Sequence, residues 1–141
     1  MSSAARLMMG ITLLTVPTIV YGGLTVLGVV TSGAVGMSPG IALSPSQVTL
    51  YRAGHAHAGV LVILSLLLQV ALDHAALPGS LAWSVRVAAP LAAVLVSGGF
   101  FGLAHLPALR ALLYAGAALL VFATLASGIG LLRSPGAPGA S

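Results

Sequence analysis

The 141-residue chain contains no cysteine and a single acidic residue, Asp73. Without cysteine, disulfides, thiolate metal sites and covalent c-type haem attachment are excluded. With one carboxylate, acid–base catalysis by paired carboxylates is excluded too, and neither a nucleophile elbow nor a phosphate-binding glycine loop is present. No autonomous catalytic activity is expected. Charge of either sign is scarce: 4% of the residues are charged, against roughly 25% in a soluble domain. So few charges do not give a folded chain of this length a water-facing surface. Lipid is the expected solvent.

What the chain does have is apolar length, with 59% hydrophobic residues and a mean hydropathy of +1.16. A bilayer core of about 30 Å takes roughly 20 apolar residues in helix. Four segments qualify, at about 7–30, 55–76, 83–104 and 109–132, and they predict a single transmembrane domain over residues 1–133. The first apolar run is longer than the roughly 7–15 residues of a secretory signal, so it is expected to stay as a span. Gly33, Gly36, Pro39, Gly40 and Pro45 mark the first loop; Pro78-Gly79 and Pro107 mark the next two. The tail 134–141 is low-complexity and is expected to be disordered. Pro17 should kink the first span, with Thr12, Thr15 and Thr18 satisfying freed carbonyls. Spacings such as Gly98 to Gly102 suit close helix approach in lipid.

Short loops predict an all-α, antiparallel four-helix membrane bundle with both termini on one side. The net charge of +4 comes from five arginines beside the span ends, as expected of anchors that snorkel to headgroups. No basic cluster offers a nucleic-acid surface. Arg6, Arg86 and Arg133 fall on the terminal side, Arg52 and Arg110 on the other. The bias places both termini in the cytoplasm of a multi-pass cell-membrane protein. The expected partners are the bilayer, other membrane subunits or further copies of the chain.

Chemistry concentrates in Arg52-Ala-Gly-His-Ala-His-Ala-Gly59, read as the head of the second span. His105 closes the third span, so antiparallel packing brings His55, His57 and His105 to one membrane face. Asp73 and His74 fall at the opposite face, where Asp73 has Arg86 within prospect. At about 100° per residue, His55 shares a direction with Gly59, Val62, Leu66, Gln69 and Asp73. That polar stripe should face the interior. His57 lies about 200° away on the stripe Leu61, Leu64, Leu68, Leu72, a lipid-exposed or helix-packed face. His55 and His105 from facing helices suit the two axial positions of b-type haem. All three histidines together suit copper or zinc. Histidines at span ends also serve as interfacial residues without a ligand, or as proton relays.

The stretch Leu50-Tyr-Arg-Ala-Gly-His-Ala-His-Ala-Gly-Val-Leu61 resembles the second span of small four-helix membrane proteins of high-GC bacteria. More remotely, a His-x-His at the head of a span resembles the haem-ligating helix of haem–copper oxidase subunit I and its truncated relatives. That resemblance implies an axial ligand at His55 or His57. It covers about a dozen residues and departs from the oxidase pattern, with four spans and no further histidine cluster for copper. The functional expectation is a small membrane protein that binds haem b or a transition metal and acts as a redox or accessory component. Its rival is a structural subunit or assembly factor with no cofactor.

Overall fold

The computed structural model describes residues 1–37 and 42–134. Pro39, Gly40 and residues 135–141 of the tail, to which sequence assigned a loop and disorder, lie outside the described residues. The described residues are all-α, and four helical stretches are long and apolar enough to cross a membrane. The first stretch is two helices, α1 (Ser3–Leu14) and α2 (Val16–Val30). Then follow α3 (Pro45–Ala71), α4 (Gly79–Leu103) and α5 (Arg110–Leu132), the last entered through a short 3-10 turn at Pro107–Leu109.

The break between α1 and α2 falls at Thr15, two residues before Pro17, whose ring removes an amide donor from the helix. The threonine hydroxyls donate to carbonyls one turn back: Thr12 to Met8 at 2.8 Å, Thr15 to Thr12 at 2.7 Å and Thr18 to Thr15 at 2.6 Å. At the far end, the chain folds back along α2 through Gly36. There φ is 84°, and a Cβ would lie 2.6 Å from the Leu24 carbonyl. Only glycine fits.

The second span departs from expectation. α3 begins at Pro45, ten residues before His55, and stops at Ala71. Its start is a capping box, Ser44 with Gln47, followed by proline at the first helical position. Local hydrogen bonding sets that boundary; hydropathy does not register it. His55 and His57 therefore sit about three turns inside the helix rather than at its mouth.

α4 is the central helix, packed between α3 and α5. The middle of its inward face is alanine (Ala88, Ala89, Ala92, Ala93), which lets its neighbours approach closely. Leu68 and Leu72 pack with Val85, Ala88, Ala89 and Ala123 in one apolar cluster; Leu61 and Val62 pack with Ala93 and Val96 in another. The His57 stripe is thus a helix-packing face. The lipid-facing stripe of α3 is a third one, with Val60, Ile63, Leu67 and Val70 exposed. Of the pair Gly98 and Gly102, only Gly102 is in close contact, a Cβ there lying 2.6 Å from the Leu109 side chain. Gly98 faces open space, whereas Cβ atoms at Gly99 and Gly116 would lie 2.6 Å and 2.8 Å from the Leu113 and Val96 backbone nitrogens.

Contacts at the two ends establish the antiparallel order. Ser2 reaches Asp73, and Ser134 donates to the His74 carbonyl, so both ends of the described chain meet the α3–α4 loop. At the other end, Gln47 donates to the Ala104 carbonyl at 2.8 Å.

Candidate ligand pocket

The three histidines have three different surroundings. His57 is exposed; its Nδ1 donates to the Ala53 carbonyl at 2.7 Å, and its ring lies on Phe100 at 4.8 Å between centroids. His105 lies just past α4, its Nε2 2.9 Å from the Tyr51 hydroxyl and its ring edge-on to the Tyr51 ring. His55 is half-buried against α2, where a Cβ at Gly23 would come within 2.9 Å of its Cε1 and 3.0 Å of its Nε2. Gly23 makes room for the imidazole.

This geometry corrects one sequence expectation. The described residues, which include all four histidines, form no group of three or more His, Asp or Glu able to hold a metal ion. The three-histidine metal site is not assembled. His105 meets Tyr51, one helical turn before His55. The Tyr51 contact is not legible from hydropathy because, with the helix begun at His55, Tyr51 belongs to a loop, whereas α3 begins at Pro45.

A cavity of about 450 Å³ opens between the first span, α3 and α4. Its wall is almost entirely apolar, including Met8, Ile11, Ile19, Val62, Val87, Leu91, Val94 and Phe101. The polar residues on it are His55, Ser97, Thr12, Thr15 and Thr18, and the threonine hydroxyls are committed to their own backbone. Gly22 also lines it, and a Cβ there meets nothing within 4 Å. His55 is the histidine of this wall; His57 and His105 are not part of it.

A second polar centre lies at the opposite end of the bundle. Arg86, expected at the interface, is buried at 5% exposure inside α4. Its Nη2 donates to Asp73 at 2.6 Å and its Nη1 to the Gln69 carbonyl at 3.0 Å. Gln69 Nε2 returns a bond of 2.9 Å to the Arg86 carbonyl. That carbonyl is free because Pro90, four residues on, has no N–H to give it. Asp73 also accepts from the Ser2 amide and hydroxyl, each at 2.6 Å. These Ser2 bonds, with Arg86 beside them, hold its pKa down at about 2. The sequence stripe through Gln69 and Asp73 is interior, as expected. The Asp73–Arg86 contact was in prospect from the sequence and is made; the burial of Arg86 was not, because hydropathy places it near a span end.

Comparison with family models, with characterised proteins and with solved structures returns no match.

Proposed function

We propose that the protein is a small membrane-embedded binding protein. Its ligand is a lipid-soluble molecule held in the pocket between the first span, α3 and α4. His55 is the polar anchor, and the loaded protein serves a membrane assembly as a redox or accessory component. The observation that carries this reading is an intramembrane cavity of about 450 Å³ with an apolar wall and an imidazole on it. Ligand pockets have this character: mostly apolar lining with a few placed polar groups. An ionisable side chain within a span is uncommon outside functional sites. The pocket holds one histidine of the three, which favours an occupant needing a single imidazole over a haem with two.

The test is what co-purifies. The detergent-purified protein is expected to carry an apolar molecule, detected by solvent extraction and mass spectrometry. Gly22→Phe should remove it, because the new ring enters the cavity without a backbone clash at Cβ. An occupant that gives the reduced-minus-oxidised bands of b-type haem and disappears in His55→Ala would identify haem on His55. Empty protein from native membranes would sink the binding reading and leave the structural-subunit one.

Both termini are proposed to lie on the cytoplasmic side of a cell membrane. With Arg86 buried against Asp73, Arg6 and Arg133 balance Arg52 and Arg110, so the side rests on labelling and not on an arginine bias. Because the chain lacks cysteine, single-cysteine variants report topology cleanly. Ser3→Cys is expected to react with an impermeant thiol reagent only from the cytoplasmic side and Ser46→Cys only from the other. Labelling of both from one side would overturn the arrangement.

A further inference from the structure

Resting on the binding reading above, we infer that the ligand is an isoprenoid quinone or quinol, its ring between His55 and Ser97 and its tail along the first span. Ser97 is 7% exposed, and its Oγ is the one buried side-chain polar atom without a hydrogen-bond partner among the described residues. The other buried hydroxyls of the spans are all satisfied by a carbonyl four residues back. Thr12 donates to Met8, Ser65 to Leu61 and Ser127 to Ala123, at 2.7–2.8 Å. Ser97 has the same option in its own helix and does not take it. Buried polar groups are nearly always paired, and this one stands on the wall of the cavity.

The two polar groups stand on one cavity wall at different depths. A Cβ at Gly54 would lie 3.1 Å from the Phe101 ring, so His55 is level with the Phe101 end of α4. Ser97 is four residues earlier, roughly 6 Å deeper in the membrane. Oxygens at opposite positions of a quinone ring can meet both, whereas the ester group of an acyl lipid presents its oxygens on one carbon. Beyond the ring, the wall continues through Leu91, Val87, Ile11 and Met8. From Gly22 to Met8 the first span covers roughly 20 Å, an apolar run that suits an isoprenoid tail.

The experiment uses the full chain in detergent, with a naphthoquinone carrying a four-isoprene tail and, separately, oleic acid as probes. Binding is read by native mass spectrometry and by titration, and unfolding temperature is recorded for every variant without ligand. The quinone should bind one per chain, and Gly22→Phe should abolish binding. Ser97→Ala should weaken it roughly tenfold while leaving the unfolding temperature unchanged or raised, because the variant removes an unsatisfied group. Equal affinity in Ser97→Ala, or a fall in its unfolding temperature that accompanies the loss of binding, would overturn the assignment. Uptake of oleic acid but not quinone, blocked by Gly22→Phe, would overturn the quinone and keep the pocket. Failure of both probes would overturn the two together.

Discussion

Asp73→Ala is expected to destabilise the protein by about 3 kcal/mol, the scale for breaking one side of a buried ion pair. The loss is large because of what remains. Arg86 stays at 5% exposure with its carboxylate gone, and Ser2 loses the acceptor of two hydrogen bonds that tie the first span to the α3–α4 loop. Adding Arg86→Leu to the same chain should recover much of the stability, since the stranded charge goes with it. Denaturant unfolding in micelles across the two single variants and the double variant measures the coupling. The same contact sets an acid limit. The Asp73 pKa falls from 3.8 to about 2 on folding, so its contribution is fully present above the unfolded value. It is lost as pH drops through about 2. Unfolding temperature should therefore decline between about pH 4 and pH 2, and that part of the decline should be absent in Asp73→Ala. An unchanged acid profile would separate Asp73 from the stability of the fold.

Gly99→Leu and Gly116→Leu should each cost about 3 kcal/mol or prevent folding, at the upper end of overpacking effects. At both positions the new Cβ would meet backbone of the facing helix, at 2.6 Å from Leu113 and 2.8 Å from Val96. Backbone cannot rotate away as a side chain does. Gly98→Leu is the control: one residue from Gly99, exposed, with nothing within 4 Å of its Cβ. It should stay within about 0.5 kcal/mol of the parent. Similar losses at positions 98 and 99 would mean that α4 presents a different face to α5.

Much of the fold was legible because lipid imposes length and apolarity, and four spans follow from those alone. What hydropathy does not carry is where a helix begins. Ser44-Pro45-Ser46-Gln47 spelled a capped start, but the apolar run begins later, and the resulting shift moved Tyr51 out of the helix. The His105 partner was lost with it. The Gly98–Gly102 spacing was half right, since Gly102 packs closely on Leu109 while α4 turns Gly99 and not Gly98 toward α5. The His55 stripe was read correctly as interior because Gln69 and Asp73 shared it. Ser97 had no such company. A serine in an apolar span is commonplace, and only the packing around it distinguishes a hydroxyl bonded to its own helix from one left without a partner.

The exchange of bonds between Gln69 and Arg86 bears on how the chain enters the membrane. Alone in lipid, α4 would expose a guanidinium and a carbonyl that Pro90 leaves unanswered, and neither is tolerated against hydrocarbon. α3 answers both, with the Gln69 amide for the carbonyl and the Gln69 carbonyl for the guanidinium. Asp73, just beyond it, takes the guanidinium as well. The two helices are joined by a short loop and become acceptable to lipid as a pair. A translocon releasing this protein would thus be expected to hold α3 until α4 has emerged and to let them go as one hairpin, around which α5 and the first span assemble.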